Sequence, residues 1–244
     1  MNRNTHLGLG ATGTTGRRIA ARLRLRGAPV RAASRSSRAR FDRSDPDTWA
    51  AALKDVAVAY VVPSPGPAHG FVAQAEEAGV RRPVLVTGRG ADDWGDSAFG
   101  LDMRSAEEAV RGSSLEWTVL RAPNFAQNFD EDVFQAPLIA GELALPAGAV
   151  PEPFIDVEDV ELSSRASGRP LAYRQITRAE YTSTLVDQGL SKHEADQVAE
   201  MFALMARGPF AGTTDDLATV PGRTPRTFEE YAVRTAPAGA WHER

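Results

Sequence analysis

Near its start the chain runs Leu7-Gly8-Leu9-Gly10-Ala11-Thr12-Gly13-Thr14-Thr15-Gly16, and few folds have a use for that pattern. An apolar, strand-like stretch breaks into glycines at three-residue intervals. The helical pattern Arg17-Arg18-Ile19-Ala20-Ala21-Arg22-Leu23 follows at once. A strand that turns sharply into a helix leaves the first helical N–H groups free, with a partial positive charge, and so offers a seat for phosphate. In that reading Gly10 lets the chain turn, Gly13 keeps a side chain out of the path of a pyrophosphate, and Gly16 lets the helix lie close to the sheet. Two registers compete. Gly8-x-Gly10-x-x-Gly13 leaves too little strand before the turn. Gly10-x-x-Gly13-x-x-Gly16 leaves Thr5 to Leu9 as strand and is preferred. Thr12, Thr14 and Thr15 share this loop and helix start, and join Gly10, Gly13 and Gly16 as candidate dinucleotide contacts. The competing reading is a structural tight turn, since a glycine pattern alone is weak evidence.

Strand and helix patterns alternate through the first half. Val30 to Ala33 reads as a strand, and Asp45-Pro46-Asp47 as a helix start with proline near the first turn. Val56 to Val62 reads as a buried strand, and Pro67 to Ala78 as a helix closed by Gly79. Pro83 to Thr87 is a strand, Asp102 to Arg111 a helix ending at Gly112, and Leu115 to Leu120 a further strand. This alternation predicts an α/β fold, a doubly wound parallel sheet with helices on both faces. Ligands of such sheets bind at the carboxyl ends of strands. Those ends are Gly10, Ser34-Arg35, Pro63-Ser64, Thr87-Gly88 and Arg121 to Phe125. From Ala136 to Pro153 frequent proline and glycine predict loops and a short hairpin. Helices follow at Arg178 to Gln188 and at Ser191 to Arg207, the latter opened by a Ser191–Glu194 capping box. Met201, Phe202, Leu204 and Met205 form an apolar patch, either core or substrate pocket.

Composition narrows the chemistry. The chain has 244 residues and no cysteine, which excludes disulfides, thiolate nucleophiles and cysteine-bound metals. Four scattered histidines lack metal-ligand spacing, so no metal is expected. No apolar run approaches a membrane span and no signal-peptide pattern opens the chain, so a cytoplasmic location is expected. The net charge of −4 hides a basic front end: the first acidic residue is Asp42, yet eleven arginines occur by Arg43. Without a recognition motif this charge argues against nucleic acid and for attraction of an anionic cofactor.

Several segments together resemble the NmrA-like branch of the atypical short-chain dehydrogenase/reductase superfamily. They are Gly10 to Gly16, Phe41-Asp42-Arg43-Ser44-Asp45-Pro46-Asp47-Thr48-Trp49, Leu115 to Phe129, Phe154 to Val160 and Gly222 to Phe228. The resemblance implies a Rossmann domain over residues 1–135, bound NAD(P)(H), and a small, mostly helical C-terminal substrate lobe over 136–244. Roughly thirty residues that such proteins carry after Val160 are absent, which would remove the usual last strand of the sheet. The family spans quinone and azo-dye reductases and non-catalytic redox sensors, so it fixes the cofactor class better than the reaction.

NAD-specific folds place an acidic residue after the second strand, to hold the ribose 2′-hydroxyl. Here Ser34-Arg35 stands there, with Arg38 close behind. A guanidinium suits a 2′-phosphate, so NADP(H) is preferred over NAD(H). Arg38 is equally a solvated arginine. Asp42 either approaches adenine, as the resemblance implies, or caps a turn. The superfamily's usual proton donor, Tyr-x-x-x-Lys, is missing: none of Tyr60, Tyr173, Tyr181 and Tyr231 has lysine four residues later. The position expected for that tyrosine holds Phe99 to Met103. Hydride transfer then favours an acceptor that stabilises its own charge, such as a quinone. Pro63, Thr87, Gly88, Asn124 and Phe125 are candidate cofactor contacts. Asn124 and Asn128 either bond substrate or nicotinamide, or satisfy loop backbone. His69 is a weak candidate proton donor, its alternative being a solvent-exposed loop residue, and His6 is expected to be buried. Two functions remain: an NADPH-dependent oxidoreductase of conjugated small molecules, or a non-catalytic NADP(H)-binding redox sensor. A homodimer or a regulatory protein partner is compatible with either.

Overall fold

The computed structural model describes residues 4–63, 68–131, 133–148, 172–208, 212–219 and 226–241. It divides into two compact units, Met1–Ala122 and Pro123–Arg244. The division falls at the end of a strand, earlier in the chain than residue 135.

In the first unit the elements run β1 (Thr5–Leu9), α1 (Thr14–Leu25), β2 (Val30–Ser34), β3 (Ala39–Arg40), a 3₁₀ turn (Pro46–Thr48), α2 (Trp49–Leu53), β4 (Val56–Val61), α3 (Ala68–Glu77), β5 (Arg82–Gly88), α4 (Ala98–Arg111) and β6 (Thr118–Ala122). The strands form one parallel sheet in the order β3-β2-β1-β4-β5-β6. The chain reverses direction across the sheet between β1 and β4, and that switch point opens a crevice at their carboxyl ends. Among the described residues the sheet ends at β6. One core cluster packs Leu7, Leu9, Ala33 and Val56 against Phe41, Trp49 and Phe71. The three rings meet edge to face or stacked at 5.5–6.4 Å. Burying each side chain of this size stabilises the unit by about 1.5–3 kcal/mol. A second cluster sets Leu85 and Val72 against Ala106, Ala109 and Val110 of α4.

The second unit holds α5 (Gln135–Ile139), β7 (Glu142–Leu145), β8 (Ala172–Gln175), α6 (Arg178–Asp187), α7 (Lys192–Met205), α8 (Asp216–Thr219) and α9 (Phe228–Thr235). Phe129, Phe134, Phe202 and Trp241 are fully buried there, and Trp241 Nε1 donates to Phe129 O at 2.7 Å. The Ser191–Glu194 capping box is present at the start of α7. Phe202 and Met205 are buried, while Met201 and Leu204 are half-buried.

Four local expectations are corrected. The predicted hairpin is a helix followed by β7, and β7 pairs in parallel with the distant β8. A tight turn cannot join parallel strands, so proline and glycine density misled here. β6 begins at Thr118 rather than Leu115, because Leu115 packs under the sheet and Glu116 N–H donates to Arg81 O, before the ladder with β5 starts. Helix α4 starts at Ala98, where Ser97 Oγ accepts from Gly100 N–H. His6 is half-buried rather than buried. The Phe154 to Val160 segment and the gap after Val160 lie outside the described residues.

Candidate functional site

The first unit builds a candidate phosphate seat from the glycine run. Gly10 has φ +64°, a left-handed conformation that glycine adopts without strain. Gly8 lies within β1, so the second register is the observed one. A Cβ on Gly16 would stand 2.3 Å from Gly10 O, so α1 can press on the turn only through a glycine. Gly13 is the N-cap of α1, exposed, with no side-chain cap and no acidic residue in the first turn. As first-turn groups, the N–H groups of Thr14, Thr15 and Gly16 have no preceding helical carbonyl to bond, and no first-turn carboxylate competes for a ligand there. Thr12 is exposed, and the Thr15 side chain hydrogen-bonds the Tyr60 hydroxyl. Ala11 N–H donates to Ala33 O and ties the loop to the end of β2.

That end of β2 carries a second feature. Ser34 is buried, its N–H donates to Ser37 Oγ and its carbonyl accepts from Phe41 N–H. Its own hydroxyl is buried and has no hydrogen-bond partner. A buried polar group in that state costs roughly 1–3 kcal/mol, which a ligand oxygen would relieve. Arg35 and Arg38 are both exposed beside it. The uncapped helix, the glycine cradle and the orphaned Ser34 hydroxyl fit the phosphate and ribose of a dinucleotide.

Sequence reasoning gives Arg43 no role, since nothing local distinguishes it from the arginines around it. Its half-buried guanidinium crosses the strand ends: Nη1 donates to Pro63 O at 3.4 Å, and Nη2 lies 4.0 Å from where a Gly10 Cβ would be. Burial pushes it below the ordinary arginine value, with Tyr60 opposing. Arg43 also lines a cavity of about 60 Å³ with Phe41, Trp49, Val61, Pro63 and Phe71.

At the end of β5 the structure corrects one picture and adds another. Thr87 is buried and donates its hydroxyl inward to Glu107 Oε1 at 2.7 Å. Glu107 also accepts from Arg121 Nε and Nη2 at 2.9 and 2.8 Å and pairs with Arg111 at 3.0 Å. Arg121 in turn grips Asp92 with both Nη atoms. Burial pushes Glu107 up, but hydrogen bonds from Arg121 and Thr87 outweigh it and hold the carboxyl below its usual value. Gly88 lies under the Trp94 indole, 2.6 Å from a would-be Cβ, and Trp94 meets Phe99 edge to face at 6.4 Å. The strand end is thus walled by aromatic rings. Sequence gave no signal for Trp94, which lies in a loop.

His69 is the second residue of α3 and exposed, rather than part of a loop. In the second unit Asn124 Nδ2 donates to Met205 Sδ at 3.7 Å, Phe125 is exposed, and Asn128 N–H donates to Phe125 O. Tyr181 is pushed up to about 12 by burial, and Tyr231 and Tyr60 are raised for the same first reason, which makes poor proton donors of all three. Among the described residues no group of three His, Asp or Glu side chains is placed to hold a metal ion, and no helix is long and apolar enough to cross a membrane.

Residues 10–137 match a family described as NAD(P)H-binding, more than half of the chain. The chain belongs to this NAD(P)H-binding family. Among relatives, it is similar to the NAD(P)H azoreductase of Xenophilus azovorans, 27% identical over 233 residues that take in 81% of this chain and 82% of the relative. Among solved structures it is similar to the NADPH-dependent quinone oxidoreductase of Escherichia coli in complex with NADPH, at TM-score 0.76 and 16% identity, covering 94% of this chain and 99% of that one. It is similar too to NmrA, a negative transcriptional regulator in complex with NADP, at TM-score 0.70 and 14% identity, covering 98% of this chain and 97% of that one. These structures share the Rossmann-like fold.

Proposed function

We propose that this chain is an NADPH-dependent oxidoreductase that passes hydride to a conjugated acceptor, quinone-like or a secondary metabolite. The observation that carries the reading is the uncapped α1 N-terminus beside the orphaned Ser34 hydroxyl and exposed Arg35. When bound, the nicotinamide cofactor supplies the hydride. The chain's part begins with holding the phosphates on the N–H groups of Thr14 to Gly16, with Gly10, Thr12 and Gly13 leaving the approach open. Ser34 and Arg35 read the ribose and its 2′-phosphate, and Arg38 assists. Pro63 borders the adenosine side. Gly88, covered by Trp94 whose ring meets Phe99, gives β5 an aromatic end for a flat acceptor. Thr87 serves indirectly, through its bond to Glu107. Residues 136–244 serve as the substrate lobe, and the protein acts in the cytoplasm.

Among the described residues none is tuned to protonate an isolated alkoxide: the chain has no Tyr-x-x-x-Lys, and burial raises Tyr60, Tyr181 and Tyr231. An acceptor that delocalises the incoming charge asks less of the protein. The similarity to an azoreductase supports the same acceptor class. The missing pair also favours a second reading, an NADP(H)-bound redox sensor working as a homodimer or with a protein partner. The test follows NADPH absorbance with quinones, enones and simple ketones. Quinones turn over fastest in the first reading. Efficient reduction of simple ketones overturns it and makes His69 the first residue to mutate. Tight NADPH binding without turnover of any acceptor supports the sensor.

A further inference from the structure

We propose that Arg43 is the counter-ion of the cofactor's pyrophosphate, a contact that serves NADH and NADPH alike. This rests on the dinucleotide reading of the site. The guanidinium is half-buried and lies across the carboxyl ends of β1 and β4, at the switch point. Its Nη2 faces the Gly10 turn, over which a pyrophosphate must pass to reach the α1 N-terminus. Its polar neighbours are the Pro63 carbonyl and the Tyr60 hydroxyl, both uncharged, and no ion pair among the described residues includes it. The nearby carboxylates are engaged elsewhere. Asp42 Oδ1 accepts from Ser44 N–H, and Asp45 accepts from Asp47 N–H and pairs with Arg40.

The remaining surroundings are apolar: Phe41, Trp49, Val61 and Phe71 line the cavity beside it. A cation held in such a place without an anion is destabilising, and an arriving diphosphate compensates it. Tyr60 and Thr15 hold the floor beneath, since their side-chain hydrogen bond ties β4 to the first turn of α1. Arg35 differs in kind. It is exposed at the end of β2 and reads the 2′-phosphate that only NADPH carries.

The experiment titrates the full chain calorimetrically with NADPH and with NADH, for wild type, Arg43→Ala, Arg43→Lys and Arg35→Ala. Arg43→Ala weakens both cofactors by the same factor, about tenfold to a hundredfold. Arg43→Lys recovers most of the loss, because a point charge suffices for a pyrophosphate. Arg35→Ala weakens NADPH alone. The urea midpoint of free Arg43→Ala equals or exceeds that of wild type, since an uncompensated charge has been removed; a purely structural arginine would lower it. The proposal is overturned if Arg43→Ala binds both cofactors as wild type does, if its loss is confined to NADPH, or if Arg43→Lys is as weak as Arg43→Ala. Wild type that binds neither cofactor overturns the dinucleotide reading itself.

Discussion

Replacing Gly16 by alanine tests the close approach of α1 to the glycine turn. The new Cβ would stand 2.3 Å from Gly10 O, 2.7 Å from Gly10 C and 2.8 Å from Leu9 O. All three are backbone atoms, so no side-chain rotation relieves the contact, and the helix must retreat by roughly 1 Å to restore ordinary separations. Overpacking costs about 1–3 kcal/mol, and a clash with backbone belongs at the upper end. Alanine's better helix propensity offsets about 1 kcal/mol of that. The net loss is about 2 kcal/mol, enough to shift the folding equilibrium by roughly thirtyfold. Two controls separate sterics from conformation. Gly8→Ala meets nothing within 4 Å and changes stability by less than about 0.5 kcal/mol. Gly10→Ala meets only Arg43 Nη2, at 4.0 Å, but its φ of +64° costs about 1–2 kcal/mol. Urea unfolding followed by circular dichroism ranks the three at a common slope. A wild-type midpoint for Gly16→Ala would refute the packing argument. Greatest damage at Gly8 would restore the rejected register.

Two further substitutions probe the seat and its support. Gly13→Val folds, because φ −84° and ψ 172° suit any residue and the Cβ contact with Gly10 O is 3.3 Å, but its methyl groups block the pyrophosphate; unchanged NADPH affinity by calorimetry in a folded variant would refute this. Arg121→Met leaves Glu107 buried with fewer donors and costs about 2–4 kcal/mol near neutral pH, less than a fully buried pair because Arg121 keeps 30% exposure. Glu107 titrates below its unfolded value, so its stabilisation is complete above the ordinary carboxylate range and is lost as pH falls through the folded value. The variant therefore loses stability at a higher pH than wild type during acid titration; parallel pH profiles would show that Arg121 does not hold Glu107 ionised.

The glycine run was legible because its signals are local. Strand, turn and helix start lie within twelve residues; the positive φ of Gly10 and the close approach of Gly13 and Gly16 to Gly10 O all arise inside that span. The capping box at Ser191 and Glu194 was legible for the same reason. The β7 pairing was not legible, because its partner strand begins at Ala172, far along the chain, and no turn chemistry announces a parallel ladder. Trp94 was missed because a tryptophan in a loop carries no period, and only the fold lays it on Gly88.

What the sequence alone determined is the α/β alternation, the glycine register and the cofactor class, since periodicity and spacing act through neighbouring residues. The tertiary structure decided which charged groups matter. Arg121 lies 14 positions from Glu107 and 29 from Asp92, in no local pattern; strand register brings Arg121 beside Glu107 of α4 and turns Thr87 inward to the same carboxylate. In the same way Arg35, Arg38 and Arg43 look alike in the chain. Only Arg43 is carried across the switch point into a half-buried place, because Phe41 and Trp49 anchor its segment in the core while β1 and β4 end beneath it. Burial and long-range register depend on the whole sheet, and no window of sequence contains them.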